Sequence, residues 1–509
     1  MSRLTAALLS HLLVVSAAAA QTPATLDSID RYVRTEVTRY RIPGLSLAVL
    51  RGDSVVLARG YGYANVEHRV PATDSTVYQS GSVGKQFTAA AIVMLAEQGR
   101  LSLDDSITRF LPDGPAMWRG VTIRHLLTHT SGIADYTDST LDTRRDYTEA
   151  ELVRLAAQQP LEFAPGDRWN YSNTGYVLLG IIIHRVTGVF YGDFLKDHVF
   201  RPLGMRTTRI ISEADIIPNR AAGYHLVNDT LKNQDWVSPS LNTTADGALY
   251  FTVRDLAHWA IGLNHWKIPS RAGLEASWTP VRLNSGGTYP YGFGWQVTQQ
   301  RGYRRIGHGG AWQGFRTAIQ RYPDFYLTVI VLDNLEQSFP EATAVTIAGI
   351  LEPRLTPPHM LRRAPSEVKP PQLIDGLLQD IAAGVETTHL TPGLKAFISD
   401  PLRESVGRRL KGAQGWTFVG CDPVEGRGIS RLGTQVVQIC YARGLGAPRT
   451  RSSPYCTERT GVRPGSTSIH TDDDDPLRTD QLRPGPTRGA HDPGSHGDGA
   501  RVRRAGAMK

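Results

Sequence analysis

Residues 80–89 read Ser80-Gly81-Ser82-Val83-Gly84-Lys85-Gln86-Phe87-Thr88-Ala89, and they open a predicted helix. Apolar residues recur at helical spacing through the alanine-rich run that follows, and Gln98-Gly99 is a typical C-terminal stop. Because residues three positions apart lie on the same face of a helix, this spacing places the Ser82 hydroxyl beside the Lys85 amine.

Ser82 and Lys85 have the chemistry of a nucleophile and its base. A serine hydroxyl is a weak nucleophile until another group takes its proton, and a lysine held neutral by its surroundings can do so. The helix N-terminus adds unpaired N–H groups that favour a developing oxyanion. The alternative is that Ser80 or Ser82 only caps the helix and that Lys85 is a solvated surface residue.

Two later motifs favour the chemical interpretation. Tyr171-Ser172-Asn173 lies within residues 165–176, and His308-Gly309-Gly310 lies within residues 307–315. With Ser82-Val83-Gly84-Lys85 before them, the chain resembles the serine β-lactamase and penicillin-binding-protein superfamily, which carries three such motifs in this order. It is most similar to the branch that holds class C β-lactamases, D-Ala-D-Ala carboxypeptidases, D-aminopeptidases and β-lactamase-like esterases. The resemblance covers residues 27–350, and residues 123–133 are a further stretch that is similar to this family.

The resemblance implies a catalytic group at the first two motifs. Ser82 is expected to attack the substrate and form an acyl-enzyme, and Lys85 to hold the proton relay in place. Tyr171 is implied to share the proton transfer with Lys85 and to pass the proton to the leaving group. Asn173 is implied to fix the Lys85 ammonium and a substrate amide. Without the resemblance, structural explanations are equally good: Tyr171 would be an amphipathic residue in the wall of a pocket, and Asn173 an ordinary turn residue.

The third motif is expected to bind the substrate. His308 takes the place of the cation of this family, Gly309 and Gly310 allow close approach to the strand, and the N–H groups of Ser82 and Ala311 are implied to form the oxyanion hole. Many relatives have Thr where this chain has Gly309, and that hydroxyl helps to bind a substrate carboxylate. Since His308 is charged only in part near neutrality, substrates that end in a free carboxylate are disfavoured. A broad serine hydrolase, such as an esterase or a D-amino-acid peptidase, is therefore favoured over an efficient β-lactamase. Arg316 is a candidate compensating cation, and equally a surface residue.

The order of elements predicts an α+β fold of the β-lactamase/transpeptidase type. Strand-like runs lie at residues 45–50 and 55–63, and again at 293–297, 303–308, 315–322 and 326–332. They predict an antiparallel sheet that closes through both ends of the domain. Helical patterns at 27–40, 148–158, 176–186 and 252–263 predict flanking helices and an inserted helical region. Ser82 is expected in the cleft between these parts.

Composition divides the 509 residues into five segments. Residues 1–20 resemble a signal peptide, with a short apolar core and Ala18-Ala19-Ala20 at its end. The hydrolase domain is predicted at 21–351, a linker with six prolines at 352–371, and a small α+β module at 372–441, either complete or truncated by the change of composition that follows it. Residues 442–509 contain no Phe or Trp and are predicted to be disordered or to arise from a frameshift.

Charge and composition limit the partners. The formal net charge is +8, and residues 442–509 hold twelve basic and eight acidic residues, so this tail supplies four of those charges. The sequence contains no basic helix with interleaved aromatic residues, so it gives no indication of nucleic-acid binding. We expect a small-molecule or peptide substrate, contact with peptidoglycan, no transmembrane segment, a secreted or periplasmic location, and neither metal nor cofactor.

Three features leave other interpretations open. A non-catalytic protein that binds peptidoglycan or penicillin could use the same scaffold, although Ser82, Lys85 and Tyr171 are all retained. An adaptor could act through residues 372–441, with the hydrolase fold as support. Of the three cysteines, Cys421 and Cys440 are candidates for a disulfide within that module, which would leave Cys456 over.

Overall fold

The computed structural model describes residues 23–138, 141–228 and 230–356, and the backbone of two strands farther on. The predicted signal peptide, most of the linker, the first part of the small module at 372–414 and the tail beyond Leu445 lie outside the described residues. The helices are α1 (Pro23–Arg39), α2 (Lys85–Glu97), α3 (Ile123–Leu127), α4 (Glu149–Gln158), α5 (Asn173–Thr187), α6 (Tyr191–Leu195), α7 (Arg201–Leu203), α8 (Val253–Asn264), α9 (Arg271–Ser277) and α10 (Pro340–Leu351).

The strands lie at both ends of this region and within it. They are β1 (Gly44–Arg51), β2 (Ser54–Asn65), β3 (Val70–Pro71), β4 (Tyr78–Gln79), β5 (Arg209–Ile210), β6 (Tyr224–Val227), β7 (Thr230–Asn233), β8 (Leu249–Phe251), β9 (Val281–Arg282), β10 (Thr288–Tyr289), β11 (Gln296–Gln300), β12 (Tyr303–Trp312), β13 (Phe315–Tyr322), β14 (Leu327–Asp333), β15 (Gly415–Ile429) and β16 (Gln435–Leu445).

The central element is a seven-stranded antiparallel sheet in the order β11-β12-β13-β14-β1-β2-β3. Strand β1 pairs with β14, so that Ala48 lies opposite Ile330 and Val49 opposite Val329. The N-terminal hairpin therefore completes a sheet whose other strands come from the end of the domain. This confirms the predicted α+β fold and its closure through both ends.

Strand β1 is buried on both faces of the sheet. Leu47 and Val49 belong to an apolar cluster with residues of α1 and α10, whereas Ala48 and Leu50 belong to a second cluster with residues of α2, α5 and α8. Side chains alternate between the two faces of a strand, so a strand covered on both sides is apolar at almost every position. This explains the unbroken apolar run that predicted the strand.

Among the element boundaries that differ from the predictions, two have clear local reasons. Helix α5 begins at Asn173, three residues before the predicted start, because the Ser172 hydroxyl accepts a hydrogen bond from Gly175 N–H and caps it. Strand β11 begins at Gln296 instead of residue 293, since Gly294 has a φ of +75° that is incompatible with a strand. The remaining sheet strands lie within a few residues of their predicted positions.

The C-terminal strands β15 and β16 form an antiparallel pair of their own. They lie in the predicted small α+β module, and β16 continues to Leu445, four residues beyond the predicted end of that module. The register places Cys421 directly opposite Cys440. This register is compatible with the predicted disulfide, which stays a prediction.

Apolar helices are short in the described part of the chain. No single helix there has both the length and the apolar composition to cross a bilayer. Two helical segments, Asn173–Thr187 and Tyr191–Leu203, meet that description only when taken together, and they are bent by 78° relative to each other.

The hydrolase domain is expected to end a few residues beyond the predicted boundary at 351. Leu355 is fully buried, and its carbonyl accepts a 2.6 Å hydrogen bond from Gln300 Nε2. Burial of a leucine side chain contributes about 1.5–3 kcal/mol. A chain that ends at Thr356 should be folded and active, and one that ends at Leu351 should lose roughly that much free energy of unfolding. Urea titration of both truncations measures the difference. Equal stability of the two truncated proteins, or an insoluble protein from the chain that ends at Thr356, would contradict this boundary.

Candidate active site

Ser82 lies in a single 3-10 turn, Gly81–Gly84, that leads directly into α2. Lys85 follows as the first residue of α2 and is fully buried. The distance from Lys85 Nζ to Ser82 Oγ is 3.1 Å. The serine and the lysine therefore touch, as the three-residue spacing predicted, and the alternative of a solvated surface lysine is wrong.

Lys85 Nζ makes two further hydrogen bonds, to residues distant in the sequence. It donates to Asn173 Oδ1 at 2.7 Å and to the carbonyl oxygen of Asp246 at 2.6 Å. Both partners are acceptors that cannot donate. A neutral amine has two N–H groups and one lone pair. If both N–H groups serve these acceptors, the lone pair is left for the Ser82 hydroxyl, which is the orientation that proton abstraction requires.

The orientation of the Asn173 amide is fixed by a buried carboxylate. Asn173 Nδ2 and the Asn173 backbone N–H each donate to Asp135 Oδ2 at 3.0 Å. A carboxylate accepts hydrogen bonds, so the amide nitrogen must face Asp135 and the amide oxygen must face Lys85. Asp135 is thus a positioning residue that acts on the lysine through Asn173.

Ser80 is excluded as the nucleophile by its own contacts. Its hydroxyl donates to the carbonyl oxygen of Gly247 at 2.7 Å and accepts from Leu249 N–H at 3.1 Å, and the residue is fully buried. It makes no capping hydrogen bond to the turn that holds Ser82. Ser80 therefore ties the start of this turn to β8, and the expectation of a simple helix cap is wrong.

Two glycines allow the Ser82 turn to lie against strand β12. A Cβ at Gly81 would overlap the backbone of Ala311, and a Cβ at Gly310 would overlap the carbonyl oxygen of Ser80. Gly81 also has a φ of +49°. Thr317 of β13, which lies opposite Gly310, donates through Oγ1 to the same Ser80 carbonyl at 2.6 Å and holds the turn against the sheet. The close approach brings the backbones of Ser82 and Ala311 next to one another, as an oxyanion hole needs.

Tyr171 lies on the other side of the lysine. Its ring centroid is 5.0 Å from Lys85 Nζ, and its ring is also 4.2 Å from that of His129. Trp169, Tyr176 and Tyr291 extend this aromatic group. The half-buried Tyr171 therefore contacts the lysine through the face of its ring, and it also forms part of the cavity wall.

His308 is neutral near pH 7. Burial lowers the pKa of its imidazole to about 4, the Gly309 carbonyl opposes this shift, and the positive charge of Lys85 adds to it. The ring lies 2.6 Å from Gly309 O through Nδ1 and 2.8 Å from the Tyr291 hydroxyl through Nε2. Since a carbonyl can only accept, Nδ1 carries the proton and Nε2 accepts from Tyr291. His308 thus carries less charge than its position in the third motif suggested.

The predicted site residues meet at one cavity of about 490 Å³. Eight of the nine line it, and the ninth, Lys85, reaches it through Ser82 and Asn173. Among the described residues, no group of three or more His, Cys, Asp or Glu side chains could hold a metal ion. The predicted residues that line the cavity are Ser82, Tyr171, Asn173, His308, Gly309, Gly310, Ala311 and Arg316.

Four further residues at this site escaped the sequence interpretation. Asp135 holds Asn173, Asp246 gives its carbonyl to Lys85, Tyr291 holds His308, and Glu341 lines the cavity. Asp135 directly follows the family-like residues 123–133, and that proximity could have marked it. The other three lie outside the quoted motifs, and only their contacts identify them.

Comparison with known proteins places most of the described chain in one family. The Beta-lactamase family model matches residues 29–351, more than half of the chain. Penicillin-binding protein 4* of Bacillus subtilis (strain 168) is 34% identical over 317 residues, which are 59% of this chain and 69% of that protein. Protein flp of Staphylococcus aureus (strain MW2) is 30% identical over 325 residues, which are 62% of this chain and 64% of that protein.

Solved structures agree with this placement. The octameric penicillin-binding protein homologue from Pyrococcus abyssi superposes with a TM-score of 0.57 at 30% identity, over 71% of this chain and 82% of that one. The D-amino acid amidase from Ochrobactrum anthropi SV3, complexed with L-phenylalanine amide, has a TM-score of 0.57 at 25% identity, over 65% and 97%. With Ser82 beside the buried Lys85, the chain belongs to the β-lactamase family of the serine β-lactamase and penicillin-binding-protein superfamily.

Proposed function

We propose that this protein is a secreted serine hydrolase that forms an acyl-enzyme on Ser82 and acts on an ester, an amide or a D-amino-acid peptide. Attack of Ser82 Oγ on the carbonyl carbon forms the new C–O bond while Lys85 takes the hydroxyl proton. The proton then passes to the departing amine or alcohol, and water releases the acyl group by the same route in reverse.

The observation that carries this proposal is the hydrogen bonding of Lys85. Two obligate acceptors, Asn173 Oδ1 and the Asp246 carbonyl, occupy two donor positions of the amine and leave the third position to Ser82. The buried ammonium of a merely structural lysine would need three acceptors, whereas a base needs two acceptors and a proton donor. Because the Ser82 hydroxyl can accept as well as donate, the arrangement satisfies an ammonium in the resting state and also the neutral amine that takes the Ser82 proton.

The open edge of β12 supports a peptide-like substrate. Strand β11 pairs with β12 only as far as Gly307, so among the described strands none pairs with that edge of residues 308–312. Gly309, Gly310 and Ala311 of this segment line the cavity next to Ser82. An extended amide chain can add to such an edge through backbone hydrogen bonds. The D-amino acid amidase among the structural neighbours acts on a comparable bond.

The test follows the mass of the intact protein over time after mixing with a fluorophosphonate, a fluorescent penicillin and a short acyl ester. We expect one adduct per chain from the fluorophosphonate, located by peptide mapping on the segment that contains Ser82. The ester should produce a transient adduct and continuing release of alcohol. A penicillin adduct that persists without any turnover of ester or amide would instead favour a non-catalytic penicillin-binding protein. Labelling at another residue would contradict the proposed nucleophile.

A further inference from the structure

Glu341 is a carboxylate at the active-site cavity to which the proposed mechanism gives no role. It lies in the first turn of α10 (Pro340–Leu351), its side chain is exposed, and it lines the same cavity as Ser82. A surface carboxylate on the first turn of a helix needs no explanation by itself, because it complements the helix dipole. Its position relative to strand β12 is what makes Glu341 distinct.

The Glu341 carboxyl occupies the space next to Gly309. A Cβ built on Gly309 would overlap Glu341 Oε1 and would lie 3.0 Å from Glu341 Cγ. Any larger residue at position 309 would therefore displace the glutamate. Gly309 is adjacent to Gly310, the residue whose close approach brings β12 against the Ser82 turn. The carboxyl thus lies beside the strand segment along which a substrate chain can bind.

The charge of Glu341 is not cancelled by a direct partner. No ion pair joins it to another described residue. The carboxyl is accessible from the cavity, but the protein atoms packed around it raise its pKa by desolvation; a hydrogen bond from the backbone of Glu341 itself and the positive charges of Arg316 and Arg305 oppose that shift. Arg316 also lines the cavity, but its Nε donates to the carbonyl oxygen of Glu336. A ligand in the cavity would therefore meet an exposed carboxylate next to Gly309.

We propose that Glu341 is a specificity residue that binds a cationic group of the substrate, such as an ammonium, beside Gly309, and that it disfavours substrates with a carboxylate at this position. The proposal rests on the proposed hydrolase function and adds the charge class of its substrate. The attraction between opposite charges that are partly shielded from water lowers the free energy of the bound substrate, and a like charge raises it.

The test compares three p-nitrophenyl esters of equal length. The acyl chains are 6-(trimethylammonio)hexanoate, its neutral isostere 7,7-dimethyloctanoate, and the monoester of heptanedioate. A second series carries the same three end groups on the thiol of a thioacetate, so that both the acyl side and the leaving-group side are covered. The variant is Glu341→Gln, which keeps the shape and removes the charge. The matched control is Glu336→Gln, because Glu336 precedes α10 and is absent from the cavity lining.

At pH 8, wild-type kcat/KM should decrease from the cationic to the neutral to the anionic substrate in at least one series. Glu341→Gln should lower the cationic-to-neutral ratio about fivefold to tenfold, the effect of one partly solvated charge pair. The neutral substrate should have the same kcat/KM with the wild type, Glu341→Gln and Glu336→Gln. Gly309→Ala, which forces the carboxyl away, should lower the same ratio without any change of charge.

An unchanged ratio in Glu341→Gln in both series, with the neutral substrate still hydrolysed, would overturn this proposal and leave the hydrolase function intact. An equal decrease in Glu336→Gln would also overturn it, because the effect would then be that of net charge alone. If the wild type hydrolyses none of the substrates in either series, the proposed function fails first.

Discussion

Ser82→Ala is expected to abolish the acyl-enzyme adduct and to reduce ester kcat/KM to the background rate. The alanine keeps the turn and the Lys85 side chain but offers no oxygen to attack the carbonyl. Removal of an attacking serine costs on the order of 10⁶-fold in serine hydrolases of other folds. Initial rates with an activated ester, together with intact mass after fluorophosphonate treatment, measure both effects.

The matched control is Ser285→Ala, which removes an exposed serine from a turn outside the cavity lining. It should label and hydrolyse like the wild type. Because the hydroxyl of Ser82 makes its side-chain hydrogen bond to Lys85 alone among the described residues, Ser82→Ala should unfold near the wild-type temperature. If the folded variant still acquires the adduct, another residue is the nucleophile and the proposed function loses its basis.

Lys85→Arg is expected to lower the acylation rate by about 10²–10⁴-fold, the usual cost of losing a general base. Arginine keeps a cation that can donate to Asn173 and to the Asp246 carbonyl, but it cannot be deprotonated in a protein. Single-turnover acylation by one activated ester, followed from pH 5 to pH 10, measures the loss. Lys196→Arg is the control, because Lys196 is exposed and lies outside the cavity lining.

The same measurement on Tyr171→Phe separates shared from independent roles. The phenol is expected to act together with Lys85, since its ring lies 5.0 Å from Lys85 Nζ. Its loss should slow acylation, and the double variant should lose much less than the product of the two single effects. Near-wild-type acylation by a folded Lys85→Arg variant would show that Lys85 is not the base. Ser82 would then require another proton acceptor.

Local patterns in the sequence were enough to predict the sheet and the reactive pair. The alternating or unbroken apolar runs predicted most of the strands of the large sheet, because burial on one or both faces dictates those patterns. The capped helix α4 was predicted from Thr148 onward, and it has the reciprocal Thr148–Glu151 hydrogen bonds of a capping box. The start of β11 was misplaced because one positive φ at Gly294 has no effect on hydrophobic periodicity.

The charge of a buried group could not be obtained from its position in a motif. His308 was expected to be partly charged, as a histidine in water would be. In the fold its ring is buried, and Tyr291 and the Gly309 carbonyl satisfy both of its nitrogens, so that burial lowers its pKa to about 4. Desolvation depends on every atom packed around a group, and those atoms come from several parts of the chain.

By itself, the sequence determined that Ser82 and Lys85 meet, since residues three apart face each other on any helix. It also determined the order of the three motifs that mark the family. Only the tertiary structure decided what surrounds that pair: Asn173, 88 residues after Lys85, and the Asp246 carbonyl, 161 residues after it, accept hydrogen bonds from the amine and leave its third position to Ser82. It likewise placed Glu341 beside Gly309. Periodicity records which residues face the core, whereas contacts between distant segments arise only when the core is packed.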